Sequence, residues 1–165
     1  MKNTFVYQTE KSTIKLLQIT DPHLFKEKET ALLGVNTQAS FTQVLKEIQQ
    51  ENNTFDIVLA TGDLVQDGSD EGYRRFVEMV TPLNKPIFWI PGNHDFQPKM
   101  VEHLNKTPME SAKHLLLGKY WQVLLLDSQV YGVPHGQLSQ HQLNLLEEKL
   151  AQHPNRYTLV VLHHH

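Results

Sequence analysis

The sequence predicts a layered α/β fold, and three observations support that prediction. Short apolar runs alternate along the chain with segments whose apolar residues recur at helical spacing. The early apolar runs are continuous, which is typical of parallel strands covered on both faces. Each run ends at residues that favour turns, such as glycine, proline, asparagine and aspartate. We therefore expect helices on both faces of a sheet, with ligands bound beyond the carboxyl ends of the strands.

The first part of the chain shows this alternation most clearly. Predicted buried strands cover residues 15–19, 57–60 and 87–90. Two segments between them have apolar residues at positions i, i+3, i+4 and i+7: Phe41, Val44, Leu45 and Ile48, then Tyr73, Phe76, Val77 and Val80. The residue before each helical segment is a good N-cap, since Asn36 or Thr37 precedes the first and Ser69 or Asp70 the second.

The later part continues with shorter elements. The expected elements are a helix over 98–104, a hairpin of 115–117 with 121–126, a helix after Ser139 and a last buried strand over 158–162. Ser139 and Gln142 have the spacing of a capping box. Leu143, Leu146 and Leu150 would then form the apolar face of that helix.

Composition narrows the function classes. The chain has 165 residues, a net charge of −3 and no cysteine, so neither a disulfide framework nor a thiolate metal site is possible. No basic run is present that would track a phosphate backbone, so a nucleic-acid partner is not expected. The first ten residues have no apolar signal core, and no apolar run approaches the roughly 20 residues that a membrane span needs. We expect a cytoplasmic protein without a membrane partner.

Residues of metal-ligand type follow four of the predicted strands. In chain order they are Asp21 and His23, then Asp63, then Asn93, His94 and Asp95, then the terminal histidines 163–165. Each group by itself has an ordinary explanation, because an aspartate after a strand usually forms a turn or caps a helix. Their recurrence at the same end of four strands predicts a shared site, since neighbouring strands lie about 5 Å apart.

The ligand types indicate the chemistry. Carboxylate, imidazole and amide oxygen suit manganese, iron and zinc, whereas magnesium is less suited to a site with several imidazoles. Two such ions roughly 3.5–4 Å apart need an anionic bridge, which one aspartate can supply. A pair of this kind can activate water and clamp a phosphoryl oxygen during hydrolysis of a phosphoester.

Three sequence blocks carry a family resemblance. The segments 21–23 (Asp-Pro-His), 62–63 (Gly-Asp) and 92–95 (Gly-Asn-His-Asp) resemble the blocks of the calcineurin-like metallophosphoesterases, in the same order. Longer stretches look like the bacterial members that hydrolyse 3′,5′-cyclic AMP: residues 17–21, 32–36, 91–98 and 125–129. The resemblance implies an α-β-β-α sandwich, two divalent ions (iron or manganese first, zinc or magnesium as alternatives) and a cyclic nucleotide as substrate.

The resemblance also implies a role for each matching residue. The implied metal ligands are Asp21 and His23 for the first ion, Asp63 as the bridge, Asn93 for the second ion, and His164, with His163 as the next choice. His94 would act as general acid or transition-state donor, oriented by Asp95. Substrate contacts would come from His23, Asn93 and His94. His135 lies in a predicted loop and could line the substrate cleft.

The end of the sequence departs from the family pattern. The family has a later Gly-His-x-His block that gives a histidine to each metal, and this sequence ends before it. We therefore expect residues 1–165 to be the N-terminal part of one metallophosphoesterase domain, truncated after roughly its first half, with an incomplete metal site and impaired activity. The apolar strand 159–162 would then have an unpaired edge that favours association with a second copy. The terminal triple histidine could alternatively belong to a tag.

Two alternatives to a cyclic-nucleotide phosphodiesterase stay open. One is a related phosphodiesterase or phosphatase with another substrate, which a hydrolysis panel would distinguish. The other is an inactive fragment, which elemental analysis of bound metal would distinguish. A dinucleotide-binding domain is disfavoured, because no Gly-x-Gly-x-x-Gly follows the first strand.

Overall fold

The structure, a computed structural model, describes residues 4–50, 54–106 and 108–164. The strands are β1 Thr4–Tyr7, β2 Leu16–Ile19, β3 Ala31–Leu32, β4 Val35–Asn36, β5 Ile57–Thr61, β6 Ile87–Ile90, β7 Met109–Glu110, β8 His114–Leu117, β9 Trp121–Leu125 and β10 Tyr157–Val161. The helices are α1 Thr37–Gln50, α2 Asp70–Val80, α3 Gln97–His103 and α4 Gln140–Gln152, with a 3₁₀ turn at Thr81–Leu83. None of the described helices is long and apolar enough to cross a membrane.

Two four-stranded sheets face each other across a shared core. The first sheet has the order β2-β5-β6-β7 with all strands parallel, and the second has the order β1-β8-β9-β10, in which only β8 and β9 are antiparallel. Apolar side chains from both sheets form one buried cluster, and α1, α2 and α3 pack with the first sheet in another. The expected α-β-β-α arrangement is confirmed, since α4 contacts the second sheet at His114 through His153, the residue that ends the helix.

The elements of the first sheet form where the sequence predicts them. All residues of β5 and β6 are buried, which explains their uninterrupted apolar sequence. The Asn36 side chain accepts a hydrogen bond from the Ala39 amide at 2.7 Å and so caps α1. Ser69 caps α2 in the same way, through the Gly72 amide. Side-chain capping and one apolar face are therefore sufficient to define these two helices.

Four short strands were not predicted by the sequence pattern. β3 and β4 have two residues each and form a hairpin, and β7 also has two residues. β1 has four residues and pairs in parallel with β8, more than a hundred positions away. Strands this short have too few residues to show periodicity, and the pairing of β1 depends on a distant partner.

Two predictions about the later elements were wrong in detail. The capping box is only half formed: Ser139 accepts from the Gln142 amide, but the Gln142 side chain accepts from the Asp127 amide instead of reaching back. The strand expected to be buried, β10, is largely exposed. Burial needs a covering element as well as apolar residues, and no element in the described part of the chain covers this strand.

Both sheets have an open edge on the same side of the sandwich. β2 and β10 each have one strand neighbour within the described residues, and residues of both line a single cleft. The sequence led us to expect such an edge at residues 159–162. The edge leaves backbone donors and acceptors of β10 without a sheet partner on that side.

Candidate metal centre

The loops that follow β2 and β5 are joined by backbone hydrogen bonds. The Asp21 amide donates to the Gly62 carbonyl at 3.1 Å, and the His23 amide donates to the Asp63 carbonyl at 3.0 Å. Asp21, His23 and Asp63 all have left-handed backbone angles, with φ of 55°, 44° and 51°. Such angles cost energy for residues other than glycine and persist where surrounding contacts enforce them, which is common at functional sites.

These loops bring three side chains of metal-ligand type together. Asp21, His23 and Asp63 each offer an atom within 4.8 Å of the other two. His23 Nε2 lies 3.5 Å from Asp21 Oδ1 and 3.9 Å from Asp63 Oδ2. Both distances are longer than those of an ordinary hydrogen bond.

His163 joins this group from the second sheet. Its Nδ1 donates to the Thr61 carbonyl at 2.8 Å, and its Nε2 lies 3.6 Å from Asp63 Oδ2. A backbone acceptor on one ring nitrogen is how ligating histidines are usually oriented, with the other nitrogen left for the metal. The neighbouring Asp63 carboxylate raises the pKa of His163 to about 9. The same negative potential favours a metal cation.

His164, our first choice of ligand from the sequence, faces elsewhere. Its Nδ1 is hydrogen-bonded to the Ser128 hydroxyl at 2.8 Å, and its ring packs against Gly136, where a Cβ would overlap it. The His163 and His164 rings contact each other edge-on, with 4.9 Å between their centres. His163 is the histidine that lies against Asp63. His164 Nε2 is buried without a hydrogen-bond partner among the described residues, so His164 stays a predicted ligand.

Asp63 is at the centre of the site. Its Oδ1 accepts from the His94 amide at 2.9 Å, and its Oδ2 faces His23 and His163. Burial opposes ionisation of this carboxylate, but His163 and the His94 amide outweigh that effect, so its pKa lies below the ordinary value. Gly92 permits this approach, because a Cβ there would overlap the Asp63 side chain. An ionised carboxylate between two imidazoles is suited to bridging two cations.

The loop after β6 places His94 at the exposed rim of the site. Gln66 Nε2 donates to His94 Nδ1 at 2.8 Å, which leaves the ring proton on Nε2. The ring lies edge-on to His23 with 5.4 Å between the ring centres. Asn93, the preceding residue, is partly buried in the same turn. His94 thus presents an N–H donor beside the predicted ligands.

Asp95 has a different role from the one that we expected. Its carboxylate accepts hydrogen bonds from four donors: the amides of Leu64, Val65 and Gly92 and the Tyr73 hydroxyl. The side-chain hydrogen bond of His94 goes to Gln66 and not to Asp95. Burial raises the pKa of Asp95 to about 6, although its hydrogen bonds oppose that shift. Asp95 therefore ties the loop after β6 to the loop after β5, since its donors come from both.

Sequence comparison identifies the family to which this arrangement belongs. The calcineurin-like phosphoesterase family matches residues 14–165, which include every residue of the site described above. The chain belongs to the calcineurin-like phosphoesterase family. Its members use divalent metals, in agreement with the group formed by Asp21, His23 and Asp63.

Similar proteins include several named phosphodiesterases. The chain is 79% identical over its whole length to the 3′,5′-cyclic adenosine monophosphate phosphodiesterase CpdA of Haemophilus influenzae, and covers 60% of that protein. It is 52% identical to CpdA of Escherichia coli over 92% of the chain and 55% of that protein. The chain thus spans about 60% or less of the length of these relatives. In fold it resembles the protein TT1561 of Thermus thermophilus, with a TM-score of 0.51 and 11% identity, over 90% of this chain and 67% of that one.

The residues present fit the divalent metals of this calcineurin-like family. His23 Nδ1 and His164 Nε2 are both buried without a hydrogen-bond partner among the described residues, so each has a nitrogen not engaged by another polar group. A second acidic group serves as a comparison. Asp70, Glu102 and His103 also lie within 4.8 Å of one another, but the Lys99 ammonium is 2.7 Å from Asp70 and already neutralises that carboxylate. Within the described part of the chain, neither Asp21 nor Asp63 has a comparable lysine contact.

Several residues at this site were missed by the sequence analysis. Thr61 orients His163, Gln66 sets the tautomer of His94, and Ser128 binds His164. They contribute a backbone carbonyl or a neutral side chain at positions without a recognisable spacing, so no sequence signal marked them. His135, predicted near the cleft, is exposed in the loop after β9, and its role stays a prediction.

Proposed function

We propose that this chain carries part of the active site of a phosphodiesterase that hydrolyses 3′,5′-cyclic AMP to 5′-AMP. The observation that carries the proposal is the convergence of Asp21, His23, Asp63 and His163 from both sheets onto one point. The names of the Haemophilus and Escherichia relatives support cyclic AMP in particular. A nucleotide substrate made inside the cell also favours a cytoplasmic location, which cell fractionation would test.

The proposed cofactor is a pair of divalent ions, with iron or manganese preferred and zinc or magnesium as alternatives. When bound, such a pair stabilises charge on the phosphoryl oxygens and lowers the pKa of a bound water. The residues that would hold it are Asp21, His23, Asp63, Asn93 and His163. Asp63 would be the shared ligand, because its Oδ2 already faces an imidazole from each sheet.

His94 is the proposed proton or hydrogen-bond donor. The Nδ1 nitrogen of His94 accepts a hydrogen bond from Gln66. The Nε2–H group is therefore the one available to a phosphoryl or leaving oxygen. Its exposure at the rim allows contact with a substrate, and its backbone amide fixes its distance from Asp63. A positioned donor of this kind typically contributes about 10²–10⁴-fold to the rate.

Metal binding and hydrolysis by variants of this chain test the proposal. The chain is loaded with Mn²⁺, its metal content is measured, and cyclic AMP is offered beside other cyclic nucleotides and a phosphomonoester. The Haemophilus relative serves as the positive control. We expect Asp63→Ala to lose bound metal and turnover, and Asp70→Ala, in the comparison group, to keep both.

The histidine variant separates chemistry from metal binding. His94→Ala is expected to keep its metal and lose turnover by about 10²–10⁴-fold. Wild-type chain that binds no Mn²⁺ would point to an inactive fragment. Metal binding with preference for a different phosphoester would keep the site and reject cyclic AMP as substrate.

A further inference from the structure

The loop that carries Asn93 and His94 is held by a glutamine, Gln129, from the loop after β9. Gln129 Nε2 donates to the Gly92 carbonyl and to the Asp95 carbonyl, both at 2.6 Å. A side-chain amide has two N–H donors, and both are used here. The two acceptors are the carbonyls on either side of the Asn93–His94 pair, so one side chain fixes both ends of this dipeptide.

Gln129 is itself held in one orientation. Its Oε1 accepts from Gln97 Nε2 at 2.9 Å, and Gln97 Nε2 also donates to Asp127 Oδ2 at 2.7 Å. The other Asp127 oxygen, Oδ1, accepts from the backbone N–H of Gln129 at 2.9 Å. Asp127, Gln97 and Gln129 thus form a closed ring of hydrogen bonds. A side chain fixed at both ends has little rotational freedom left, which favours precise placement of what it binds.

The same segment also touches the histidines after β10. Ser128, between Asp127 and Gln129, is hydrogen-bonded to His164, the neighbour of His163. Within residues 127–129, Gln129 therefore contacts the loop after β6, and Ser128 contacts the histidines that follow β10. This places the segment where it can set the spacing between proposed ligands that come from different sheets.

We propose that Gln129 is a positioning residue that sets Asn93 and His94 relative to Asp63. The proposal rests on the metal site put forward above, because its purpose is to place Asn93 against the second ion and His94 against the substrate. Gln129 touches neither the predicted ligands' side chains nor any reacting group; it acts on the backbone between them. Loss of its two donors would leave the turn free to move the His94 amide away from Asp63 Oδ1.

The test uses Gln129→Met, which keeps length but removes both donors, with Gln140→Met as matched control. Gln140 lies in the first turn of α4, where its exposed side chain contacts Asn144. Two quantities are measured on the 165-residue chain: hydrogen exchange at the His94 amide, and Mn²⁺ affinities by calorimetry. In Gln129→Met we expect exchange at His94 to be faster by about tenfold. We also expect the Mn²⁺ site that Asn93 would serve to lose about 10–100-fold in affinity, with the other site unchanged.

Each other outcome decides the question. Unchanged exchange at His94 would overturn the proposal, as would faster exchange throughout β5 and β6, which indicates general destabilisation. If wild-type chain binds no Mn²⁺, the proposed metal site fails, yet exchange at His94 still decides the role of Gln129. If Gln129→Met does not fold, Gln129→Glu, which has the same shape and no donor, replaces it. Failure of both to fold would assign Gln129 to the fold and reject a positioning role.

Discussion

The two helical layers of this protein differ in how far their apolar faces are covered. Tyr73 and Phe76 of α2 are completely buried against the first sheet, whereas Leu143 and Leu150 of α4 are 42% and 40% exposed. Apolar residues recur at helical spacing in both helices, at i, i+3, i+4 and i+7 in α2 and at i, i+3 and i+7 in α4. In α4 the spacing does not identify the buried face, since Lys149 is buried there, so the tertiary structure decides which side of a helix is covered.

The strands show the same contrast. Every residue of β5 and β6 is buried between helices and the second sheet, but Val160 of β10 is 39% exposed. The proposed metal centre draws most of its residues from the covered sheet and one, His163, from the end of the exposed strand. The exposure of β10 does not extend to this residue, because the His163 side chain is 11% exposed, against 44% for Asp21.

The largest effect is expected from a core substitution on the covered side. Phe76 stacks on Phe41 with 5.9 Å between ring centres, so Phe76→Ala should lower the free energy of unfolding by about 3–5 kcal/mol. Leu150→Ala on α4 should cost about 1 kcal/mol or less, since that side chain is already partly in water. Urea unfolding of both variants measures the difference. Equal losses would mean that α4 is covered in solution.

Two glycine variants compare the loop after β6, in the covered sheet, with the loop after β9, in the exposed sheet. Gly92→Ala would force a Cβ into Asp63, so we expect Mn²⁺ affinity to fall by about 10–100-fold. Gly132→Ala, in the loop after β9, meets nothing within 4 Å; its φ of 81° costs some stability, but metal binding should be unaffected. Calorimetric titration with Mn²⁺ checks both. Normal affinity in Gly92→Ala would show that Asp63 is not held against this turn.

The two edges of the second sheet provide the next comparison. We expect the chain to associate through the open edge of β10, and Val160→Lys should weaken that association, because a charge on an edge strand opposes pairing. Val6→Lys alters β1, at the opposite edge of the same sheet, and should leave association unchanged. Sedimentation velocity at several concentrations measures both. A wild-type chain that stays monomeric would contradict the expectation.

The smallest effect concerns a buried histidine of the second sheet. Burial lowers the pKa of His114, and the nearby charges of His153, Lys149 and Arg156 lower it further, against the hydrogen bond to Gln122. The folded chain therefore binds this proton less tightly than the unfolded chain, whose histidine pKa is about 6.5. The contribution of His114 to the free energy of unfolding is therefore constant above about pH 6.5 and declines as the pH falls below that value.

His114→Gln tests this pH dependence. The variant should remove part of the fall in stability between about pH 6.5 and the lower folded-state pKa, measured by urea unfolding at a series of pH values. His141, exposed on α4, supplies the control variant His141→Gln, which should leave the slope unchanged. An unaltered slope in His114→Gln would show that other groups take up the proton.

The elements with strong local signals could be predicted from the sequence, and those that depend on distant partners could not. The cap at Ser69, the apolar faces of α1 and α2, and the buried runs of β5 and β6 are local properties. β1 and β7 form because a distant strand is available, and no local pattern announces that. The same division applies to α4, where the predicted apolar face was wrong: Leu143 and Leu150 are exposed and Lys149 is buried.

The candidate site divides along the same line. The sequence by itself determined the ligand types and the ends of the strands that carry them, because turn chemistry and residue type are local. Only the tertiary structure decided that His163 faces Asp63, that Asp95 binds the loop after β5, and that Gln129 reaches the turn of His94. These contacts depend on the direction in which a side chain leaves the backbone and on how two sheets are placed, and neither is encoded in the spacing of residues along one strand.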